Sequence, residues 1–173
     1  HLSIRRQRQM CIRDRAKLLQ SAMAEAPDAP RPRLLLGQLQ LNQGQASEAY
    51  TCLRQLFEAG SVAAPLAAAS LVRAAQGADQ ASAALTLLKQ HYAQSPCIDV
   101  MDAIVALEKS AADSETLARH RYIEHLNKQP SLLAASRWLA GADLGTDDTR
   151  VPVQKALEQA SRPLARYLSL IHI

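Results

Sequence analysis

The chain has 173 residues, a one-domain length that is sufficient to bury a real core. Alanine (32) and leucine (26) far outnumber valine, isoleucine and threonine together (18), so strong helix formers displace the residues that strands prefer, and an all-α fold is expected. One Trp, one Phe and four Tyr leave few rings to stack on bases, which argues against an RNA-type stacking platform. The net charge of +4 sits entirely in residues 1–15, where five arginines face Asp14 alone, so the remainder is neutral.

Residues 1–15, HLSIRRQRQMCIRDR, hold no alanine and stop where an Ala/Leu pattern begins at Ala16; LSLIHI, at 168–173, follows Tyr167 as abruptly. Both strings resemble the translated sequencing-adapter ends of reading frames assembled from environmental DNA. The expectation is a non-native basic arm at 1–15, a folded body at 16–167 and a non-native tail at 168–173, the chain being a fragment. The other reading is a pair of native basic and apolar tails. With the arm set aside no nucleic-acid partner is expected. No signal-peptide core or membrane-length apolar run is present, so the fragment is expected to be soluble with no membrane span. Cys52 and Cys97, 45 apart with no CxxC, read as small apolar residues in a reducing compartment.

Along the body, a first helix runs from about Ala16 to Pro27. Hairpins are then expected at about 31–59, 64–94, 98–128 and 132–162. Pro96 and Pro130 are 34 apart, and Ala84 and Leu88 precede the first as Ala118 and Tyr122 precede the second, by 12 and 8 residues. Leu36-Gly37, Gly44, Ala49 and Leu53 fall at the offsets of a tetratricopeptide repeat. Gly37 and Ala49 are small so that paired helices approach closely, Leu36 and Leu53 fill the seam, and Gly44 permits the turn. Such hairpins bury their apolar faces only by stacking, which predicts a right-handed solenoid of helical hairpins. The turn after Gly77 is expected to be about two residues longer than its equivalent. Leu36, Leu53, Leu88, Tyr122 and Leu126 are expected to be buried, and Trp138 to be core filler. Asp79, Asp113, Ser131 and Asp148 are candidate N-caps.

No nucleophile elbow, phosphate loop, HExxH or paired cysteine motif occurs, so no catalytic, cofactor or metal site is expected. His120 and His125 are five apart, about 140° around a helix, and read as surface or interhelix residues that cannot share one metal. A solenoid offers its concave face instead. On the first hairpin that face falls at Arg31, Leu34, Gln38, Leu41 and Asn42, and Arg31, Gln38 and Asn42 are the candidate partner-binding residues. Exposed polar filler is the alternative for each.

The run YIEHLNKQPSLLAASRWLAGADL (122–144), the helix VQKALEQA and the closing RPLARY (162–167) resemble the C-terminal part of the lipopolysaccharide assembly protein B family. AKLLQSAMAEAP and RPRLLLGQLQLNQGQ resemble an earlier part, so the resemblance covers about 16–167. It implies a bacterial tetratricopeptide adaptor at the cytoplasmic face of the inner membrane, held by an N-terminal membrane helix. It further implies protein partners, namely the lipid A deacetylase and a membrane AAA+ protease, whose coupling restrains lipopolysaccharide synthesis. No catalytic residue is implied. The family's rubredoxin-like metal module would follow Arg166 and Tyr167, where LSLIHI stands instead, so no cofactor is expected here. The competing class is a general peptide-binding repeat scaffold.

Overall fold

A computed structural model describes the backbone of residues 2–111, 115–129 and 131–140 and, within these, the side chains of 10–109, 117–129 and 131–137. The helices are α1 (Leu2–Glu25), α2 (Pro30–Asn42), α3 (Ala46–Glu58), α4 (Ala64–Gly77), α5 (Ala81–Gln94), α6 (Ile98–Ala111), α7 (Glu115–Lys128) and α8 (Leu132–Ala140). The described residues contain no strand, and the fold is an all-α repeat of helical hairpins. Three hairpins fall where the proline and alanine spacing puts them. Of the fourth, α8 is described and its partner helix, with Asp148, lies outside the described residues, as do Asp113 and the Trp138 side chain.

α1 starts at Leu2, not Ala16. Residues 2–25 contain neither Gly nor Pro, so nothing in the arm breaks a helix, and Pro27 stops it at the expected end.

The chain forms two compact units, residues 1–91 and 92–173. In the first, α2 packs against α1, α3 and α4, and α3 also packs against α4. Gly37 is buried against Leu53, the close approach its size permits. Ala49, Leu53, Ala84 and Leu88 are wholly buried and Leu36 nearly so. Gly77 lies against the start of α3, where a Cβ would come within 2.8 Å of the Ala46 Cβ. In the second unit α7 packs against α6 and α8, and Leu126 forms a cluster with Ala134 and Ala135. Tyr122 is half-buried at its edge, because its hydroxyl reaches out to donate to the Asp102 carboxylate at 2.8 Å.

The turn closing α2 is held by two reverse bonds, Gly44 N–H to the Leu41 carbonyl and Gln45 N–H to the Gln40 carbonyl, with Gly44 at φ 78°. The turn after α4 has the same three-residue length. Gln80 N–H returns to the Ala75 carbonyl at 2.8 Å, and Asp79 takes the left-handed position at φ 53°. The expected two-residue extension is absent: α4 itself is one residue longer than α2, 14 against 13. Asp79 is accordingly not an N-cap. That position belongs to Gln80, whose carbonyl accepts the first helical bond, from Ala84. Ser131 is one: its Oγ accepts the Ala134 N–H at 3.1 Å.

Candidate docking surface

The surface begins with α2. Pro30 at its first turn and the Gly44 turn fix its ends, and Gly37 fixes which face meets α3. With Leu36 and Gly37 inward, the 3.6-residue period leaves Arg31, Gln38 and Asn42 on the opposite side. Arg31 and Asn42 are exposed and Gln38 is half-buried. Gln38 and Asn42 line a cleft of about 420 Å³ with Arg15, Leu18, Leu19, Leu35 and Leu39. Arg31, at the other end of α2, does not. A second cleft, about 600 Å³, holds Asn42 with Ile12, Arg13, Gln20, Gln40 and Gln43 on its walls. The Gln40 Oε1 is buried there without a hydrogen bond.

Arg33 is the cation of α2 that the fold employs internally. One of its guanidinium nitrogens donates to the Pro27 carbonyl at 3.2 Å, tying the α1–α2 loop down. Cys52 packs beneath it, its Sγ 3.3 Å from the Arg33 carbonyl. Burial raises the Cys52 thiol above its usual range, so it is a packed thiol and not a thiolate nucleophile. Cys97 is half-buried, and burial raises its thiol too.

The 35-residue register that relates Leu36 to Leu71, Gly44 to Asp79, Ala49 to Ala84 and Leu53 to Leu88 also relates Arg31 to Leu66 and Gln38 to Arg73. Leu66 and Arg73 are exposed on α4, in contact with α2. Sequence reasoning missed both. The signal was that register, hidden by the expected two-residue extension of the turn where α4 is instead one residue longer.

In the second unit a polar pair is closed to solvent. The Tyr92 hydroxyl lies 2.6 Å from Nδ1 of His125, which is 1% exposed. Burial, aided by the Glu124 charge, pushes Tyr92 up to about 12, and burial lowers His125, with Lys128 adding to that and Asp102 opposing it. Both are therefore neutral near pH 7, and in the Nε2–H tautomer Tyr92 donates to Nδ1. His120, by contrast, is exposed, and among the described residues no three His, Cys, Asp or Glu side chains converge on a metal-sized site. Outside that pair, Arg121 holds Glu108 through two bonds of 3.0 and 2.9 Å and reaches Glu124 at 3.1 Å. These are helix-clamping contacts.

Successive helical hairpins, the first with Arg31, Gln38 and Asn42 on the side of α2 away from α3, define a repeat scaffold. Residues 16–69 match the tetratricopeptide repeat family, a span running from within α1 into α4, so the chain contains that repeat. Its first residue is the one at which the Ala/Leu pattern begins. No curated protein and no solved structure gives a significant match. Among the described residues no helix is long and apolar enough to cross a membrane.

Proposed function

We propose that this chain is a non-enzymatic docking scaffold, and that it serves as an adaptor that brings the lipid A deacetylase to a membrane AAA+ protease and so restrains lipopolysaccharide synthesis. The observation that carries the scaffold reading is the tetratricopeptide match over 16–69, laid on a first hairpin whose α2 presents Arg31, Gln38 and Asn42 on the side away from α3. Among the described residues the Tyr92–His125 pair is buried and Arg121, Glu108 and Glu124 are tied to one another, so the helix faces are the surface offered for recognition. The adaptor reading rests on the resemblance of 16–167, and above all of 122–144 and 162–167, to the lipopolysaccharide assembly protein B family. The work would take place at the cytoplasmic face of the inner membrane.

The test is a pull-down of the purified deacetylase and protease by this chain, comparing wild type with Arg31→Ala/Gln38→Ala/Asn42→Ala at equal thermal stability. Capture of both by the wild type and its loss in the variant is the expected result. If neither protein is captured, the adaptor reading fails and only the general scaffold stands. Equal capture by both forms keeps the adaptor and moves its contact away from these three residues.

A further inference from the structure

Two helices of the first unit that pack together, α2 and α4, have an unusual charge balance. Neither α2, PRPRLLLGQLQLN, nor α4, APLAAASLVRAAQG, contains a carboxylate, yet they carry three arginines. Arg33 is tied to the Pro27 carbonyl, whereas Arg31 and Arg73 are exposed and make no ion pair among the described residues. Beside them is exposed apolar surface: Leu66 is 69% exposed, and Val62, in the turn that precedes α4, is 91% exposed. In the 35-residue register Arg31 on α2 is level with Leu66 on α4. Arg73 is two helical turns beyond Leu66 on the same face, about 10 Å along the axis. Two unpaired cations thus bracket an uncovered leucine on neighbouring, touching helices.

We infer that the α2–α4 face of the first unit recognises an acidic peptide segment bearing an apolar side chain, its carboxylates on Arg31 and Arg73 and its apolar group on Leu66. This rests on the scaffold reading and specifies the chemistry of the partner. Guanidinium groups on two helices that carry no carboxylate attract carboxylates and repel basic segments, which sets specificity by charge. The leucine supplies area that water leaves on binding, so charge alone would not suffice. Gln38 and Asn42, alongside on α2, present amides suited to a peptide backbone.

Fluorescence anisotropy with the full chain tests this, using three labelled twelve-residue peptides: glutamate-rich with leucines, lysine-rich with the same leucines, and glutamate-rich with serines replacing the leucines. The first should bind, more weakly as salt rises. The second should not bind, and the third should bind at least five-fold more weakly than the first. Arg31→Glu/Arg73→Glu should cost at least ten-fold with an unchanged melting curve, and Leu66→Ser should abolish the preference for leucine over serine. If the charge-reversed protein melts early, Arg31→Gln/Arg73→Gln gives the same comparison with a smaller loss. Neutralising the arm through Arg5→Gln/Arg6→Gln/Arg8→Gln should leave affinity within two-fold. Equal binding of the acidic and basic leucine peptides, full affinity in the Arg31/Arg73 variants, or loss only on neutralising the arm would each overturn the inference. Normal capture of the deacetylase and protease by Arg31→Glu/Arg73→Glu would sink this inference and leave the adaptor reading intact.

Discussion

Gly37 of α2 faces Leu53 of α3 so closely that a Cβ at position 37 would lie 2.6 Å from both Cγ and Cδ2 of the leucine. Cγ is the branch point of a wholly buried side chain, so Leu53 has no room to swing away. Gly37→Ala should lower stability by about 1–3 kcal/mol through overpacking, outweighing the roughly 1 kcal/mol by which alanine favours a helix. Leu53→Ala alone should cost about 2–5 kcal/mol. In that background Gly37→Ala should become neutral or stabilising, because the clash has gone. Urea unfolding of the four proteins reads the coupling, and simple additivity would contradict the contact.

His125, beside Tyr92, and His91, in edge contact with Phe57 at 5.2 Å, both have burial-lowered pKa values. The unfolded chain therefore binds protons that the folded one refuses. The stabilisation is fully present above the unfolded value of about 6.5 and declines as pH falls below it. The denaturation midpoint should drop between pH 7.5 and 5. Glu124 has a lowered pKa, first through its hydrogen bond from Lys128, so its own loss begins only near the unfolded carboxylate value of about 4.3, below that window. Tyr92→Phe at pH 7.5 should cost about 1–3 kcal/mol by leaving Nδ1 of His125 unpartnered. A midpoint flat from pH 7.5 to 5 would refute the histidine account.

Gly44 and Asp79 occupy the same left-handed position in successive turns, at φ 78° and 53°. A Cβ at Gly44 would meet nothing within 4 Å, so Gly44→Ala isolates backbone strain, expected at about 1–2 kcal/mol. Asp79→Gly is the reverse experiment and should raise thermal stability slightly. Ser131→Ala should cost about 1 kcal/mol by removing the α8 cap. Matching melting temperatures for Gly44→Ala and Asp79→Gly would show that the turns are not equivalent.

Arg121, about one-third exposed, makes its two bonds to a Glu108 side chain that is 8% exposed. Arg121→Met takes two charge-assisted bonds away from a largely buried carboxylate, and about 1–3 kcal/mol should be lost after allowing for solvent at the arginine. Arg121→Lys keeps the charge without the paired geometry and should recover only part of it. Full stability of Arg121→Met in chemical unfolding would mean that Glu108 is satisfied by its other contacts.

The hairpins were legible because their signals are local and repeated. Gly37 with Leu53, and the Ala84/Ala118 and Leu88/Tyr122 pairs, are sterically obliged to be small or large at fixed offsets. Position 79 was not, since aspartate serves equally as an N-cap and as a left-handed turn residue, and only the one-residue lengthening of α4 decides between them. That same shift hid Leu66 and Arg73 as counterparts of Arg31 and Gln38. The Tyr92–His125 bond spans 33 residues and joins helices whose polar residues carry no local pattern, so spacing left His125 as either a surface or an interhelix residue and named no partner for it.

Residues 2–15 are continuous with 16–25 in α1, yet the repeat match starts at residue 16. Met10, Cys11 and 13–15 are exposed, and Ile12 is half-buried at the wall of the larger cleft. Deleting 1–15 and 168–173 removes, among described side chains, little apolar contact beyond Ile12, while Leu19, Ala22 and Met23 remain partly buried on the shortened helix. The expected cost is about 1 kcal/mol, a fall in Tm of roughly 2–4 °C. The same deletion takes the net charge from +4 to zero, which removes the phosphate-neutralising cations on which salt-sensitive DNA binding depends. A melting curve and a low-salt gel shift on the trimmed chain read the two effects separately. Unfolding on trimming would make the arm part of the fold, and DNA binding that survives trimming would locate a nucleic-acid surface on the neutral body.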